Sequence, residues 1–480
     1  MEKVAIIGMG IAGMGVLLSY KKEVNLDKVE IDLYDYTKSF GRGFPFRKDS
    51  DEVLLNARPT TISFDYEKPY EFGNWLEEIN YKYDEFVPRH ILGDYLNKKL
   101  VETVQSTNAQ FMKSPAYDLD WNEEDNKWKI TLENKEQIEY DRVHLCCGEL
   151  PQLDVYDLSE YENYIECVYP LEKNLERIPM DKKVCIIGTG LSGIDLVRFL
   201  VKEKNQSEIS IFSRNNVFPT ARKKTLELKA KYFTYEVIEK ILENNNGYIS
   251  FEEFDELFNK ELEYQGVNFD ELMDKYDVGF RSLEKSIDVD EKLSIAQSLF
   301  SDTTNPLNLS WVGFTELDKD KFKDKYKNYL QIFGGPTPKS TAKTIVDAKE
   351  SGRLNILENI KDIVFNKNTK EFDVIDKDKN VTFSADYICN ATGLDKSFKS
   401  VDKENSFLGK ILNKRYIQVD EDGGITVLPD KITVISPKFG EFENLHGHGV
   451  LISGVQLRNN SIPTIQETAH KLIKRLYKKD

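Results

Sequence analysis

Two stretches of this sequence read as a β-strand, a glycine-rich turn and a helix in direct succession. The first is VAIIGMGIAGMGVLLSY, residues 4–20, and the second is VCIIGTGLSGIDLVRFL, residues 184–200. In each, an apolar run typical of a buried strand leads into G-x-G-x-x-G and then into an apolar helical pattern. Such glycines allow a tight turn, approach of a phosphate to the backbone, and close packing of helix on strand. The sequence therefore predicts two dinucleotide-binding turns, at Gly8, Gly10 and Gly13 and at Gly188, Gly190 and Gly193.

The strand that follows each turn ends differently in the two copies. VEIDLYDY ends at Asp35, whose carboxylate suits the hydroxyl groups of an unphosphorylated ribose. EISIFSR ends in Ser213 and Arg214, and an arginine at this point suits a 2′-phosphate. The sequence therefore predicts FAD at the first turn and NADPH at the second, with a solvated basic turn as the alternative there. Further basic residues are expected to add charge beside the phosphate: Arg222, Lys223 and Lys224.

The composition suits a folded protein with more than one domain. At 480 residues, with 40% hydrophobic and 11% aromatic residues, the chain is too long for one ordinary core. Its net charge of −16 argues against nucleic acid and anionic membrane surfaces as partners. No apolar run approaches the roughly 20 residues that span a bilayer, and the N-terminal run lacks the basic start of a signal peptide. We therefore expect a cytoplasmic protein with no membrane partner.

The five cysteines and five histidines do not form a convincing pattern for metal binding or for a redox-active dithiol. The sequence has no C-x-x-C or C-x4-C spacing, so no disulfide-reductase dithiol is visible, and free thiols fit a reducing compartment. Two patterns imitate metal sites. LENNNGYISFEE has Leu242 where an EF-hand needs Asp, and HGHG at residues 446–449 lacks further ligands. We expect no metal site, and the catalytic side chains stay unassigned.

Two later segments read as a strand that ends in a glycine. DRVHLCCGELPQL reaches Gly148 and ADYICNATGLD reaches Gly393, and each follows an antiparallel-looking stretch. Both resemble the segments by which two-dinucleotide-binding flavoproteins return the chain to a nucleotide site. The predicted fold class is α/β, with two Rossmann-like dinucleotide-binding domains, for FAD and NADPH, and a helical insertion. The predicted boundaries are FAD-binding domain at 1–165 and 385–480, NADPH-binding domain at 166–224 and 331–384, and insertion at 225–330.

The inserted segment is rich in charged and aromatic residues and poor in Pro and Gly. Apolar residues recur at helical spacing over Leu226–Glu243 and Phe251–Tyr264, which predicts amphipathic helices. Two roles stay open for this segment. In the first, it covers the flavin and shapes a substrate cleft. In the second, it is an appendage that stabilises the protein or mediates its dimerisation.

Taken together, these motifs resemble the FAD/NAD(P)-binding flavoproteins that include the N-hydroxylating monooxygenases of ornithine and lysine. GRGFPFRKDSDEVLLNARPTTIS resembles the family's stretch along the flavin, and ISGVQLRNNSIPTIQETAHKLIKRL its C-terminal turn. DYICNATGL is close to the D-x3-[LF]-A-T-G-Y pattern, with Asn390 and Leu394 departing from it. The F-x-G-x-x-x-H fingerprint of Baeyer–Villiger monooxygenases is missing before the second turn. The resemblance implies flavin-orienting roles for Gly43, Pro45, Asn56 and Gly454.

The resemblance implies an NADPH-dependent FAD monooxygenase that hydroxylates a nitrogen of a small amine or amino acid. In such a reaction NADPH would pass hydride to the flavin, and O2 would then form a C4a-hydroperoxyflavin that hydroxylates the neutral amine. Two other functions stay open. One is an NADPH-dependent flavin dehydrogenase or reductase without oxygen insertion, and the other is a non-catalytic flavoprotein that senses redox state. The sequence leaves the substrate and the oligomeric state open, a homo-oligomer included.

Overall fold

The computed structural model of the chain describes residues 1–35, 40–65, 67–277, 279–459 and 461–478. Its internal contacts divide the chain into two compact units, each built from discontinuous segments. Unit 1 comprises residues 1–48, 58–151 and 394–480, and unit 2 comprises residues 49–57 and 152–393. Within the described residues, no helix combines the length and apolar character needed to cross a membrane.

Strands and helices are numbered in chain order. The strands are β1 Glu2–Ile7, β2 Val29–Tyr34, β3 Gln110–Phe111, β4 Ala116–Asn122, β5 Lys127–Leu132, β6 Gln137–Tyr140, β7 Arg142–Leu145, β8 Tyr164–Ile165, β9 Val184–Ile187, β10 Ile209–Phe212, β11 Leu354–Ile356, β12 Ile360–Asn366, β13 Glu371–Asp376, β14 Val381–Ala385, β15 Tyr387–Asn390, β16 Thr433–Ser436 and β17 Gly440–Gly447. The helices are α1 Ile11–Glu23, α2 Glu71–Glu78, α3 Arg89–Gln105, α4 Leu171–Asn174, α5 Leu191–Lys202, α6 Tyr235–Asn244, α7 Phe251–Tyr264, α8 Phe269–Tyr276, α9 Phe280–Lys285, α10 Glu291–Asp302, α11 Thr304–Gly313, α12 Glu316–Phe333, α13 Lys339–Glu350, α14 Phe407–Asn413 and α15 Ile462–Tyr477. Short 3₁₀ helices cover Leu26–Lys28, Pro59–Thr61 and Gly449–Ile452.

Unit 1 is built on a six-stranded sheet in the order β16-β17-β7-β1-β2-β3. Its central strand β1 pairs in parallel with β2 and β7, and its last four residues are buried. Helix α1 is buried from Gly13 to Tyr20, because its small and apolar residues surround the axis rather than forming one stripe. It packs closely on α15, where a Cβ added at Gly15 would lie 3.4 Å from Cγ of Gln466.

Unit 2 is built on a five-stranded sheet in the order β11-β10-β9-β15-β8, with every pair parallel. Strands β9 and β10 read as short, continuous apolar runs, VCII and ISIF, and all their residues are buried. Continuous rather than alternating burial is expected for parallel strands that are covered on both faces. Helices α5 and α13 pack with this sheet in one apolar core around Ile186, Leu196 and Ile345.

The two units repeat one plan. Each has a strand, a glycine turn, a helix and a second parallel strand, and each inserts a three-stranded antiparallel sheet before its third central strand. That sheet is β4-β5-β6 in unit 1 and β12-β13-β14 in unit 2. The third central strand is β7 in unit 1 and β15 in unit 2. The fold class predicted from the sequence, two Rossmann-like domains with a helical insertion, is confirmed.

The observed unit boundaries differ from the predicted domain boundaries. Unit 1 ends at residue 151 and resumes at 394, whereas the prediction placed these changes at 165 and 385. The physical reason is strand pairing, since β8 and β15 are hydrogen-bonded into the sheet of unit 2. The segment around Gly393 therefore belongs to unit 2, whereas the predicted boundary places it in the returning segment of the FAD-binding domain.

A short segment, residues 49–57, also belongs to unit 2 although the residues on both sides of it belong to unit 1. Val53 is buried in the apolar core of unit 2. Asp49 accepts hydrogen bonds from the backbone N–H groups of Leu171 and Glu172, at 2.9 and 3.0 Å. Arg198 on α5 holds Glu52 in an ion pair of 2.6 Å. Nothing in the local sequence pattern distinguishes this segment from its neighbours.

The inserted segment folds into helices α6 to α12. Five of them begin at a side chain that accepts a hydrogen bond from the backbone three residues on, which is the standard N-cap. These caps are Thr234, Ser250, Asn268, Asp290 and Thr315. The helices enclose an aromatic core in which Phe254 and Tyr326 contact several other rings.

The helix predicted over Leu226–Glu243 is shorter in the structure, where α6 begins only at Tyr235. The carboxylate of the buried Glu261 explains the difference. It accepts hydrogen bonds from the backbone N–H groups of Lys231, Tyr232 and Phe233 at 2.8, 2.6 and 3.1 Å. These tertiary bonds hold the segment in a non-helical path.

Candidate functional site

The first glycine turn joins β1 to α1 with almost no room for side chains. A Cβ added at Gly8 would lie 2.6 Å from the carbonyl oxygen of Cys146, and Gly8 has a φ of +100°. A Cβ added at Gly13 would lie 2.0 Å from the carbonyl oxygen of Gly8. Both glycines are therefore required by the packing of helix, strand and turn. This packing leaves the N-terminus of α1 open to a phosphate.

Further glycine-bearing loops of unit 1 approach the N-terminus of α1. Gly10 is the N-cap residue, and a Cβ added there would lie 3.3 Å from Cα of Gly43. Gly449 has a φ of +61°, and a Cβ there would lie 3.3 Å from Cβ of Ala12. Gly148 follows β7, and its Cβ position is 3.4 Å from Val450. The loops of Gly43 and Gly449 thus lie close to the first turn of α1, and their glycines keep side chains away from it.

Asp35 follows β2 directly and is half-buried. The other carboxylate on this strand, Asp32, is fully buried and accepts hydrogen bonds from Tyr140 at 2.7 Å and Gln110 at 2.8 Å. Asp32 is thereby engaged in the core of unit 1. Its location leaves Asp35 as the acid at the strand end, where the sequence predicts a contact with ribose.

The remaining residues predicted to orient the flavin are distributed between the units. Pro45 lies beside Gly43, its Cδ being 3.6 Å from a Cβ added there. Gly454 is packed in unit 1, where a Cβ would lie 2.3 Å from Oδ1 of Asp420. Asn56 belongs to the 49–57 segment and hence to unit 2. The flavin-orienting roles of these residues stay predictions.

The second glycine turn repeats the first. A Cβ added at Gly188 would lie 2.4 Å from the carbonyl oxygen of Ala391, and one at Gly193 would lie 2.0 Å from that of Gly188. Gly190 is the N-cap residue of α5, and a Cβ there would meet no atom within 4 Å. The N-terminus of α5 is therefore open for an anion over a wider space than that of α1. Gly393 has a φ of +99°, and its carbonyl oxygen accepts a hydrogen bond from Leu153 at 3.1 Å.

The loop after β10 is organised by side-chain hydrogen bonds. The hydroxyl groups of Ser213 and Thr189 are 2.7 Å apart, and Thr189 also donates to the carbonyl of Val217 at 2.7 Å. The amide oxygen of Asn216 accepts from the backbone N–H of Ser213 at 2.8 Å. Ser213 thus ties this loop to the glycine turn, and the exposed Arg214 follows it.

A cavity of about 830 Å³ opens at the carboxyl ends of β10 and β11. Three cationic side chains line it, Arg214, Arg281 and Lys349, together with the carboxylates Asp277 and Glu358. Lys349 is paired with Glu284 at 2.8 Å. Within the described residues, the side chain of neither arginine makes a hydrogen bond or an ion pair. In open α/β sheets this edge is where ligands bind, and two unpaired guanidinium groups suit a phosphate.

Sequence reasoning found Arg214 but missed Arg281. Arg281 lies on α9, within the helical insertion, and only tertiary structure brings it to the cavity of Arg214. The other predicted cations do not line this cavity. Lys223 donates to the backbone carbonyls of Ser286 and Asp288, and the backbone N–H of Arg222 donates to the carbonyl of Thr337 at 2.7 Å. The expectation that residues 222–224 add charge beside the phosphate stays a prediction, and it is not supported by the lining of this cavity.

The described residues contain no cluster of three or more His, Cys, Asp or Glu side chains arranged to hold a metal ion. The cysteines are free thiols. Burial raises the pKa of Cys147 to about 12, and it also raises the pKa of Cys146, Cys185 and Cys389. Thiols held in the protonated form are poor nucleophiles.

Comparison with known proteins agrees with this architecture. A model of an FAD-NAD(P)-binding family matches residues 5–150. Monooxygenase PC-14 of Penicillium crustosum is 26% identical over 237 residues, which cover 44% of this chain and 36% of that protein. The chain thus matches little more than a third of the length of its curated relatives.

Solved structures match over the whole chain. The ornithine N-hydroxylase of Kutzneria sp. 744, solved with reduced FAD, NADP⁺ and L-ornithine, gives a TM-score of 0.59 at 12% identity over 99% of both chains. L-Lysine 6-monooxygenase from Pseudomonas syringae gives a TM-score of 0.58 at 11% identity, again over 99% of both chains. At these identities the likeness establishes the fold, which these proteins share with the present chain.

Proposed function

We propose that this chain is an NADPH-dependent FAD monooxygenase. Its residues 5–150 match an FAD-NAD(P)-binding family, and its fold is that of the flavin-dependent N-hydroxylases. Its substrate in this proposal is a small amine or amino acid, hydroxylated on nitrogen. The observation that carries the proposal is the pair of glycine turns, one followed by a carboxylate and the other by a cavity with two unpaired arginines. Two different dinucleotides account for that asymmetry most simply.

FAD is assigned to the first turn of unit 1. The N-terminus of α1 directs its backbone N–H groups and the positive end of its dipole toward the pyrophosphate. Gly10 and Gly43 keep side chains away from this position, and Asp35 accepts hydrogen bonds from the ribose. When bound, FAD supplies hydride acceptance and the activation of O2. The chain contributes binding, orientation and the surroundings of the flavin.

NADPH is assigned to the second turn of unit 2. The open space above Gly190 receives the pyrophosphate at the N-terminus of α5. Arg214 and Arg281, which both line the cavity, then bind the 2′-phosphate. Guanidinium–phosphate pairs are charge-assisted and frequently bidentate, so they discriminate strongly between NADPH and NADH.

The overall reaction is balanced as R–NH2 + O2 + NADPH + H⁺ → R–NHOH + NADP⁺ + H2O. Two electrons come from NADPH, one oxygen atom enters the N–O bond, and the other leaves as water. The nitrogen must be uncharged to react as a nucleophile, so the site has to bind the amine as its free base. This chemistry needs no nucleophilic side chain from the protein, in keeping with the buried, protonated thiols.

The test measures which product receives the oxygen atoms of O2 and the electrons of NADPH. The flavin-loaded protein is supplied with NADPH, O2 and a panel of amines that includes ornithine and lysine, and hydroxylamine product and hydrogen peroxide are both measured. We expect one amine to yield close to one hydroxylamine per NADPH, with little peroxide. NADPH oxidation that yields only peroxide with every amine would replace the proposal by a flavin reductase without oxygen insertion. A flavin that NADPH does not reduce would favour a binding or sensing role.

A further inference from the structure

A chain of hydrogen bonds runs through the interior of unit 1. Its members are Glu2 on β1, Tyr477 on α15, Tyr20 on α1, His144 on β7, and His448, which follows β17. The hydroxyl of Tyr477 donates to Oε2 of Glu2 at 2.8 Å and lies 3.2 Å from the hydroxyl of Tyr20. Tyr20 is 3.0 Å from Nε2 of His144, whose Nδ1 is 3.0 Å from Nε2 of His448. These five residues are called the histidine relay below.

The relay is buried at its centre and reaches solvent at one end. Tyr20 and His144 are fully buried, and His448 is 2% exposed. The side chain of Glu2 is 26% exposed and is held by Nε of Arg142 at 3.0 Å. Arg142 also approaches Nε2 of His446, which stacks on His144. A protein core does not bury so many polar groups without hydrogen bonds, and the relay supplies them.

Every interior member of the relay stays uncharged in its resting state. Burial lowers the pKa of His144 well below its usual value and that of His448 to about 3. Burial also raises the pKa of Tyr20. A neutral imidazole has one N–H and one lone pair, and a phenol both donates and accepts. A line of such groups can be hydrogen-bonded throughout in either of two directions.

The two directions differ in the orientation of every hydrogen bond and in one bound proton, which Glu2 carries only in the second. In the first, Tyr477 donates to the Glu2 carboxylate, Tyr20 to Tyr477, Nε2–H of His144 to Tyr20, and Nε2–H of His448 to His144. In the second, a protonated Glu2 donates to Tyr477, each bond reverses, and His448 carries its proton on Nδ1. Passing from the second to the first, with each bonded proton moving one step toward His448, takes a proton from Glu2 and releases the proton on Nδ1 of His448. Uptake of a solvent proton by Glu2 and reversal of the bonds restore the second arrangement. No buried charge stands at either end point.

The inner end of the relay points to the first dinucleotide turn. Nδ1 of His448 has no hydrogen-bond partner within the described residues. His448 is directly followed by Gly449, whose Cβ position is 3.3 Å from Cβ of Ala12 in the first turn of α1. That helix end is where FAD is assigned above. A proton delivered to His448 therefore arrives beside the assigned cofactor site.

We propose that the histidine relay conducts protons from solvent at Glu2 to the flavin site of unit 1. The proposal rests on the proposed function, because it takes FAD to occupy the first turn. Hydroxylation by the reaction above consumes one solvent proton per turnover. Reoxidation without a substrate consumes one as well, since anionic reduced FADH⁻ + O2 + H⁺ gives FAD + H2O2. Hydride transfer from NADPH to FAD needs no proton, so the relay serves only the oxygen half-reaction.

The first experiment reads the hydrogen-bond direction in the flavin-loaded protein. Long-range ¹H–¹⁵N spectra of histidine-labelled protein report the tautomer of each of its five histidines. We expect Nε2–H in both His144 and His448 at neutral pH, because an ionised Glu2 can only accept. Tyr20→Phe removes the acceptor of His144, and an orphaned buried N–H is less favourable than an orphaned lone pair. Both rings should then change to Nδ1–H, although His448 does not contact Tyr20.

The second experiment measures the oxygen half-reaction directly. Flavin reduced with dithionite is mixed with oxygenated buffer, and the rate of reoxidation is followed. Tyr20→Phe should slow it at least tenfold, with unchanged flavin content and unchanged anaerobic reduction by NADPH. Tyr477→Phe interrupts the histidine relay near Glu2. It is the variant to be measured if Tyr20→Phe does not fold.

The matched control is Tyr95→Phe, which deletes another buried tyrosine hydroxyl bonded to a carboxylate, Glu71 at 2.8 Å, outside the relay. It should leave the histidine tautomers and the reoxidation rate unchanged. An unchanged His448 tautomer, or reoxidation of Tyr20→Phe at the wild-type rate, would overturn the relay. If the wild-type protein yields no hydroxylated amine, the proposed function is contradicted. Both relay measurements stay valid in that case.

Discussion

The two glycine turns of this protein agree in two of their three glycines and differ in the third. In both, a Cβ added at the first glycine would meet the carbonyl oxygen of the residue that follows the third central strand, and one added at the last would lie 2.0 Å from the carbonyl oxygen of the first. A Cβ added at the middle glycine would lie 3.3 Å from Cα of Gly43 in unit 1, whereas in unit 2 it would meet no atom within 4 Å. The first and last glycines are therefore required by the fold of both units. The middle glycine and the end of the following strand differ between the units, as expected if the two units bind different ligands.

A second contrast concerns the charged and titratable side chains. All five histidines of the chain belong to unit 1, and unit 2 has none. Unit 2 instead presents Arg214 and Arg281 in its cavity. A buried network of neutral groups and a cavity with unpaired cations are suited to different tasks, proton movement and phosphate binding. The predictions below test this division, beginning with the largest effect.

Replacing the last glycine of each turn should abolish one cofactor at a time. In Gly13→Val the new side chain meets the carbonyl of Gly8, so α1 cannot pack on β1 and the flavin should be lost. Gly193→Val should abolish NADPH binding and leave the protein yellow. Flavin absorbance and NADPH titration separate the two variants, each serving as the control for the other. A Gly13→Val protein that keeps its flavin would contradict the assignment of FAD to unit 1.

Acid should destabilise unit 1 before unit 2. Burial lowers the pKa of His144, His446 and His448, so these rings are neutral in the folded state while the unfolded chain takes up protons below about pH 6.5. Their stabilising contribution is present above that pH and is lost as pH falls. The loss is about 1.4 kcal/mol per pH unit for each histidine. Pulse proteolysis in urea at two pH values, with fragments assigned to the units by mass spectrometry, measures the stability of each unit. Equal acid sensitivity of both units would contradict this prediction.

Removing the guanidinium group of Arg214 should weaken NADPH binding selectively. A charge-assisted hydrogen bond contributes about 1.5–3 kcal/mol, so Arg214→Ala should raise the Kd for NADPH roughly 10- to 150-fold and leave that for NADH nearly unchanged. Lys223→Ala is the matched control, because Lys223 is bonded to backbone carbonyls away from the cavity. Calorimetric titration with both nucleotides measures the difference. Equal weakening of NADPH and NADH binding would remove the 2′-phosphate role.

The middle glycines should respond unequally to a single methyl group. Gly10→Ala brings a Cβ to 3.3 Å from Cα of Gly43, whereas Gly190→Ala meets no atom within 4 Å. Both are N-cap positions, so the loss of capping preference is similar in the two and cancels in the comparison. We expect Gly10→Ala to be the less stable variant by about 1 kcal/mol, from the cost of overpacking. Thermal unfolding of the two flavin-free proteins tests this, and equal melting temperatures would indicate that the loop of Gly43 adjusts freely.

Much of the fold could be predicted from local sequence patterns. The glycine turns need a particular spacing, buried parallel strands need continuous apolar runs, and helix α7 was predicted with its observed bounds Phe251–Tyr264. The capping residues Thr234, Ser250 and Asn268 are likewise local signals. The periodicity of apolar residues wrongly predicted a helix before Tyr235. There, hydrogen bonds from backbone N–H groups to the carboxylate of the distant Glu261 outweigh the helical pattern of the segment.

What the sequence by itself determined is the presence of two dinucleotide-binding turns and the opposite charge at the ends of their second strands, since both depend on residues within about 30 positions of one another. Only the tertiary structure decided that Arg281 joins Arg214, that residues 49–57 and 385–393 belong to unit 2, and that the histidines of β7 and β17 meet Tyr20. The physical reason is the range of the interactions. Turns and caps are formed by neighbours in the chain, whereas strand pairing and core packing join segments that the sequence does not mark as partners.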